Sequence, residues 1–428
     1  MAALWSTAAG QGFARGLIAS AAVMLLAAAP GWAATAPGAT LEELLSLARN
    51  VNPDLAVARL EADAAGARAA AAGGLDDPLV KMELQDINRR RGSLVPGKVG
   101  AIFYRVEQDF PLWGKRDLKR EIGAAEALGV RERSRMVAAE LAGRVKIAFA
   151  QHYQAGAALR INTELDGLLQ AVTAAAQIRA AQSLGGQLEI LQAEAERTRL
   201  AIERNELERD RGVARARLNG LLDRAAEAPL AEPLGLRPVP ASVVQPIEAL
   251  VARMEAANPE LAAERAMRSA AGGARRLADQ AWYPDVTIGA SVANRGGAFT
   301  GYEAMVGARI PLQWGVKEAQ QREAAAKYGA AEARLRGAAA RARSDLSQAS
   351  SGLQASLRTE KMLTSRLLPQ TEAAWRAGLT AYQAGRAEFA LLLEAERRLQ
   401  QARLDLLRSR TEQQVMIAEI ERIMGEEP

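Results

Sequence analysis

The chain has 428 residues, of which 4% are aromatic and 25% are charged, and it contains 36 glycines and no cysteine. This composition excludes disulfides, thiol chemistry and N-terminal lipid attachment, and it favours long helices packed through small side chains over an ordinary globular core. The net charge of +5 comes from arginines scattered beside glutamates, without a clustered basic face, so nucleic acid is not an expected partner.

Residues 1–33 have the pattern of a secretory signal peptide. Arg15 precedes an apolar run over residues 16–29, and Pro30-Gly31 and small residues follow it. Cleavage is expected after Ala33. The run is too short to cross a bilayer as a helix, and no later stretch is both long and apolar enough to do so. We therefore expect an exported protein that enters any membrane by means other than a helix.

Landmarks recur in the same order about 200 residues apart, which indicates a duplicated unit. The recurring segments are Asn52-Pro53 and Asn258-Pro259, Phe110-Pro111-Leu112 and Ile310-Pro311-Leu312, Gly185 and Gly385, and Glu194-Ala195-Glu196-Arg197 and Glu394-Ala395-Glu396-Arg397. The prediction is a first repeat over residues 34–222, an irregular proline-rich linker over 223–245 and a second repeat over 246–428.

Each repeat is predicted to contain a helix, two strands, a long helix, a tip turn and a return helix. The first repeat should have helices over residues 41–72, 114–183 and 187–222, and the second over 247–281, 316–383 and 387–424. The first long helix would extend about 100 Å at about 1.5 Å per residue. Pro369 should kink the second one.

The predicted strands alternate apolar and polar residues, which gives each of them one apolar face. The apolar positions are Val80, Met82 and Leu84, Ile102, Tyr104 and Val106, Val286, Ile288, Ala290 and Val292, and Tyr302, Ala304, Val306, Ala308 and Ile310. A small sheet capping a helical bundle would also fit this pattern. Trp113, Trp282, Tyr283 and Trp314 fall where strands meet helices, however, and this placement favours the aromatic girdle of a membrane sheet.

Four strands cannot close a barrel, and an open sheet edge cannot lie in lipid because its backbone groups would lack partners. Two copies would give eight strands, which make a barrel filled by side chains, whereas three copies would give twelve. A conducting pore therefore predicts a homotrimer.

The order of these features resembles the TolC family of outer-membrane factors. The supporting segments are the residues from Gln108 to Lys115, the Tyr382-Gln383-Ala384-Gly385 turn, and the residues from Leu391 to Arg397. The resemblance implies a mainly α fold with a small β part: a trimeric 12-stranded β-barrel continued by a long periplasmic α-helical barrel. It implies a passive exit duct in the outer membrane, in contact with its lipid, with a periplasmic adaptor and an inner-membrane pump of RND type as partners. Neither catalysis nor a cofactor is expected.

Two segments resemble members that serve metal-efflux pumps, namely Asp76-Asp77-Pro78 and the stretch that ends at Arg116. Heavy-metal ions are therefore one predicted cargo. A bound metal is not expected, and His152 is interpreted as a packing or solvated residue.

The resemblance also assigns residues to the periplasmic tip and gate. Gly185 and Gly385 correspond to the tip turns, Tyr382 to a gate tyrosine and Glu394 to an acidic ring position, with Glu194 as its repeat mate. The gate arginine position holds Ala387, with Arg386 next to it, and two further acidic positions hold Leu191 and Leu391. The polar lock should therefore be weaker or differently built. An alternative interpretation makes Glu194 and Glu394 exposed charges beside arginines.

Two other functions are considered. A periplasmic adaptor would also be exported and contain a long helical hairpin, but here the hairpin occurs twice and is accompanied by membrane-length strands. An enzyme is disfavoured, because the sequence has no glycine-rich phosphate loop after a strand, no cluster of metal ligands, and no serine beside a plausible base.

Overall fold

The two halves of the chain contain helices and strands in the same order. A computed structural model describes residues 36–85, 100–181, 186–295 and 298–426, so the predicted signal peptide and Gly185 lie outside the described residues. The first half contains α1 (Leu41–Val51), α2 (Pro53–Ala71), β1 (Leu79–Gln85), β2 (Ala101–Phe110), α3 (Lys115–Ala181) and α4 (Gln187–Leu221). The second contains α5 (Ile247–Ala257), α6 (Pro259–Asp279), β3 (Asp285–Arg295), β4 (Ala298–Arg309), α7 (Trp314–Met362), α8 (Leu368–Gln383) and α9 (Phe389–Ile423).

The prediction of single helices over residues 41–72 and 247–281 was wrong, because each of these segments breaks at its Asn-Pro pair. Asn52 has an extended backbone, and its side chain accepts a hydrogen bond from the amide of Leu55, which caps α2. Asn258 caps α6 in the same way. Proline at the first position of a helix lacks only an amide that would have no partner there, so it favours the new start.

Each of these asparagines also binds the far end of its own repeat. The side-chain amide of Asn52 donates to the carbonyl of Leu221, and that of Asn258 donates to the carbonyl of Ile423. These carbonyls belong to the last turns of α4 and α9, where main-chain acceptors have no partner within the helix. The short helices are therefore joined to the ends of the return helices.

The second long helix is interrupted where Pro369 was predicted to disturb it. A π-helical turn, Leu363–Leu367, separates α7 from α8, and Pro369 lies in the first turn of α8. Proline removes one backbone donor and clashes with the preceding turn, and a π turn accommodates that disturbance. The first long helix contains no such interruption over its 67 residues.

The four strands form one antiparallel sheet in the order β1-β2-β3-β4. The register aligns Met82 with Tyr104, Tyr104 with Val292, and Val292 with Tyr302. The four apolar stripes therefore share one face. The opposite face carries the charged positions, with ion pairs that join Lys81 to Glu107, Arg105 to Glu83, and Arg309 to Asp109.

The helices bury three main apolar clusters. Two are repeat mates: Leu44 and Leu55 pack with α3 and α4 in the first half, while Leu250 and Leu261 pack with α7 and α9 in the second. The third cluster, here called the tip core, combines both halves. Its buried members are Leu165, Leu169, Val172, Ala193, Leu200, Tyr382, Phe389, Leu392 and Leu393.

The segment between α4 and α5 is held against the helices by a buried ion-pair network. The guanidinium of Arg237 makes two 2.8 Å hydrogen bonds to the carboxylate of Glu421 on α9. The ammonium of Lys146 on α3 lies 2.8 Å from the same carboxylate. The side chains of Lys146 and Glu421 are almost fully buried. One glutamate thus joins three parts of the chain.

Candidate functional site

The turn between α8 and α9 ends its helix in a left-handed conformation that requires glycine. Gly385 has a φ of 71°. Its amide donates to the carbonyl of Tyr382, and the amide of Arg386 donates to the carbonyl of Ala381. This pair of bonds is the Schellman motif, in which glycine follows the helix cap. The predicted tip position of Gly385 thus coincides with a tight helix end, and its role at the periplasmic tip stays a prediction.

The side chain of Tyr382 connects the two repeats at this end of the helices. It is 1% exposed, and its hydroxyl donates to Oε2 of Glu189 on α4 at 2.9 Å. Its ring lies 5.5 Å from that of Phe389, centroid to centroid, at an interplanar angle of 58°. Aromatic pairs with tilted planes at such distances are favourable. A polar bond and an apolar contact therefore both restrain the tip.

The sequence did not indicate a role for Glu189, because its partner Tyr382 lies 193 positions away and the equivalent position in the second repeat is not acidic. The position 200 residues later is Phe389, a repeat mate of different chemistry. The two repeat mates now surround one tyrosine, Glu189 at its hydroxyl and Phe389 at its ring. Residues at equivalent places in the two halves of the chain thus supply the polar and the apolar side of one contact.

The remaining predicted gate residues lie on the exposed surface of the chain. Glu194 is exposed, and Arg386 is exposed beside the turn. The carboxylate of Glu394 is 2.9 Å from the guanidinium of Arg398, one helical turn away, and half of its side chain is accessible. The structure does not bring Glu194, Glu394 and Arg386 into a common contact among the described residues, and their role in the gate stays a prediction.

Two residues beyond these glutamates, each repeat buries a carboxyl group that the sequence interpretation passed over. Glu196 is 2% exposed and Glu396 is 4% exposed. Glu196 lies three residues after Ala193 and four before Leu200, both of which are buried in the tip core. That spacing places the glutamate on the apolar stripe of its helix, and this was the signal that could have marked it.

The two buried carboxyl groups have very different partners. Oε1 of Glu196 accepts a 2.6 Å bond from Arg199, and Oε2 accepts a 2.6 Å bond from Arg397 on α9. Burial alone would raise the pKa of Glu196, but the hydrogen bonds and charges of the two arginines outweigh it and hold the pKa below its usual value. Neither carboxyl oxygen of Glu396 has a hydrogen-bond partner among the described residues.

The predicted girdle residues lie at one end of the sheet. Trp113 follows β2, Trp282 and Tyr283 precede β3, and Trp314 begins α7 after β4. Trp113, Tyr283 and Trp314 each expose half or more of their surface, while Trp282 is half-buried. The rings of Trp113 and Tyr283 are 5.3 Å apart. Their contact with a membrane interface stays a prediction.

The junction between strands and helices is fixed by polar contacts that the sequence did not reveal. Trp113 has a φ of 62°, unusual for a residue other than glycine, and its indole donates to the carbonyl of Pro284 at 2.9 Å. The ammonium of Lys115, 8% exposed, is 2.8 Å from both the carbonyl of Tyr283 and the carboxylate of Asp285. The start of α3 is thereby anchored to the start of β3.

His152, interpreted from sequence as a packing or solvated residue, is buried on α3. Burial is the main cause that lowers its pKa, with further lowering from Arg211 that the charge of Glu232 opposes. Within the described ranges, no three histidine, aspartate or glutamate side chains are grouped as a metal site. Among the described helices, none combines the length and the apolar character needed to cross a bilayer.

Residues 250–426 match the model of a family described as outer membrane efflux protein. These residues are therefore similar to outer membrane efflux proteins. The matched range runs from within α5 to the end of the described chain, so it coincides with the second repeat and contains Tyr382, Gly385 and Glu396. The resemblance to this family, predicted from the motifs, is confirmed.

The fold of the chain is similar to those of solved outer-membrane proteins. VceC from Vibrio cholerae is 19% identical with a TM-score of 0.77, over 90% of this chain and 96% of VceC. CusC is 17% identical with a TM-score of 0.77, over 92% of this chain and 94% of CusC. The open state of MtrE from Neisseria gonorrhoeae is 19% identical with a TM-score of 0.75, over 92% of this chain and 90% of MtrE. The predicted fold, mainly α with a small β part, is confirmed. No match was found among curated proteins.

Proposed function

We propose that the chain is one subunit of a trimeric exit duct in the outer membrane, which conducts substrates passively for a tripartite efflux pump. The match to the model of the outer membrane efflux protein family and the similarity to solved outer-membrane proteins support this proposal. The observation that carries it is the sheet. Its aligned apolar face is exposed, with Val80, Tyr302 and Val306 each more than 70% accessible, and its outer strands β1 and β4 each have one edge without a strand partner in the described chain.

These features fit a lipid environment and further copies of the same sheet. An apolar face of this extent is favourable against hydrocarbon, while free strand edges are costly there unless other strands pair with them. Three copies of a four-stranded sheet give twelve strands, enough for a pore wider than a barrel filled by side chains. The charged face, which carries Lys81, Arg105 and Glu107, would then line the water-filled interior.

The helices would continue the duct into the periplasm, with the turn at Gly385 directed away from the membrane. We propose that this end contacts a periplasmic adaptor, through which the duct works with an inner-membrane pump of RND type. Heavy-metal ions are the proposed cargo on the resemblance of the segment at Asp76 and of the stretch that ends at Arg116. Sensitivity of a deletion strain to copper, silver, cobalt, zinc and cadmium salts would identify which ions the duct exports.

Disulfide crosslinking tests the assembly directly, because the chain has no cysteine of its own. Val80→Cys on β1 is combined in turn with Tyr302→Cys, Ala304→Cys or Val306→Cys on β4, so that several registers between neighbouring subunits are sampled. At least one pair should give a covalent trimer and nothing larger in outer-membrane extracts. Each single-cysteine variant is the matched control and should remain a monomer after denaturation.

Two results would contradict the proposal. A ladder extending beyond three subunits would show an open assembly, and a monodisperse monomer that needs no detergent would favour the adaptor-like alternative. A trimer that forms only in the membrane fraction supports the duct.

A further inference from the structure

The two return helices meet at a cluster of charged groups beside the tip core, in which two glutamates are buried and two arginines are partly exposed. From α4 it contains Glu196, Arg199 and Glu203, and from α9 it contains Glu396 and Arg397. Arg397 reaches across to Glu196, so the cluster crosses the boundary between the repeats. We name it the junction cluster.

Gln400 completes the polar contacts of the junction cluster. Its side-chain oxygen accepts from Arg199 at 2.8 Å, and its side-chain nitrogen donates to Glu203 at 2.9 Å. Arg199 also reaches Glu203 at 3.2 Å. The two arginines and the amide of Gln400 therefore donate their hydrogen bonds to Glu196, Glu203 or Gln400 itself. None of the described donors binds Glu396.

Charged groups from the neighbouring helices are occupied elsewhere. Asp166 on α3 pairs with Arg197, and Glu372 on α8 pairs with Arg403. The charges near Glu396 are therefore those of the junction cluster itself, which contains three acids and two arginines. With every acid ionised, the cluster has one uncompensated negative charge in a buried place, which is strongly unfavourable.

We propose that Glu196 and Glu396 form a proton-binding site at the junction of the two repeats, in which Glu396 holds a proton in weakly acidic medium and releases it as the medium becomes alkaline. The proton makes the cluster neutral, while Glu196 stays ionised and accepts hydrogen bonds from both arginines. Burial is the largest cause that raises the pKa of Glu396, followed by the negative charge of Glu196; Arg199 and Arg397 oppose them, and the pKa is about 7.

Release of the proton should weaken the packing of α9 against α4. A raised pKa in the folded state means that the stabilising contribution of Glu396 is complete below its ordinary value of 4.5 and is lost as the pH rises through about 7. The ionised carboxylate can regain hydration only if the helices separate or admit water. Tyr382, Phe389 and Leu393 belong to the adjoining tip core, so this loosening would reach the tip turn. That consequence rests on the proposed function as a duct, whereas the proton site itself does not.

Infrared spectroscopy of the solubilised protein detects the proton directly. Near pH 6.5 ordinary aspartates and glutamates are ionised, so a carboxylic acid band there reports a raised pKa. The band should be present in the unaltered protein, absent in Glu396→Gln and unchanged in Glu394→Gln, the exposed neighbour on the same helix. A band that survives Glu396→Gln would overturn the assignment.

A second variant keeps the test decisive if Glu396→Gln does not fold. Glu196→Gln removes the repelling charge and frees Arg199 and Arg397 to approach Glu396, so the pKa of Glu396 should fall and the acid band near pH 6.5 should vanish. Persistence of the band would refute the shared site.

The pH dependence of thermal unfolding supplies an independent readout. Between about pH 6 and about pH 8.5 the midpoint should fall in the unaltered protein and in Glu394→Gln, but not in Glu396→Gln. Equal slopes in all three proteins would contradict the proposal. These measurements do not require a conducting pore, so crosslinking and this test can fail separately.

Discussion

Replacing Glu421 by glutamine should destabilise the protein far more than the same change at a nearby surface position. The carboxylate of Glu421 is 7% exposed and receives hydrogen bonds from Lys146 and Arg237. The variant leaves the ammonium of Lys146, itself 5% exposed, without a counter-charge. Removing one partner of a buried ion pair costs roughly 3–5 kcal/mol, and we expect about 3 kcal/mol because glutamine retains one acceptor.

Glu419→Gln is the matched control on the same helix. Glu419 pairs with Arg422, but about a third of each side chain is accessible, and such pairs contribute about 0–1 kcal/mol. Urea unfolding of the solubilised protein, followed by helical circular dichroism, gives the two midpoints, and a common slope converts them into free energies of unfolding. A difference below about 1 kcal/mol between the two variants would refute the argument.

A double variant separates the unpaired charge from other effects. If the charge of Lys146 causes the loss, Lys146→Met combined with Glu421→Gln should be more stable than Glu421→Gln alone, since the two changes act on one contact. A double variant that is still less stable would show that the packing of Lys146, rather than its charge, is responsible.

The same network sets an acid limit to stability. Burial would raise the pKa of Glu421, but hydrogen bonds and charges from Arg237 and Lys146 outweigh burial and lower it. The stabilisation from Glu421 is therefore complete above the ordinary glutamate value of 4.5 and is lost as the pH falls through the lowered pKa. The free energy of unfolding should therefore fall less steeply with decreasing pH in Glu421→Gln than in the unaltered protein. The same pH dependence in both proteins would contradict this assignment.

Three further variants test the tip and the caps. Tyr382→Phe removes the bond to Glu189 and should cost about 1 kcal/mol of unfolding free energy while raising single-channel conductance; unchanged conductance would show that this bond does not restrain the pore. Asn258→Ala removes the cap of α6 and the bond to the carbonyl of Ile423, so it should cost roughly 2 kcal/mol in urea unfolding, and a cost below about 0.5 kcal/mol would exclude the double role. Gly385→Val strains the left-handed turn and should reduce adaptor crosslinking while the trimer still forms, and intact crosslinking would show that the turn does not dock.

The sequence predicted the elements whose side chains repeat with a regular period. The alternation in the strands gave the correct apolar face, and the register confirms that Met82, Tyr104, Val292 and Tyr302 share it. The predicted helix over residues 187–222 agrees with α4 to within one residue. These features depend on local spacing, so a single chain contains the information for them.

Features that depend on contacts between repeats were not predictable in the same way. Whether a glutamate is exposed, like Glu394, or buried, like Glu396, depends on which neighbouring helix covers it. The bond between Tyr382 and Glu189 requires two helices from different repeats to meet at one level. The breaks at Asn52 and Asn258 were closer to prediction, because Asn-Pro is a known helix start, but the continuous apolar pattern concealed them.

The two asparagine caps also bear on which residue types can occupy these two positions. A position that makes one contact can be filled by several residue types. Asn52 and Asn258 each need an acceptor for a helix amide and a donor for a distant carbonyl in one short side chain. Aspartate lacks the donor and serine lacks the reach, so few mutational paths lead away from asparagine. A substitution at Asn52 or Asn258 therefore removes at least one of these two contacts.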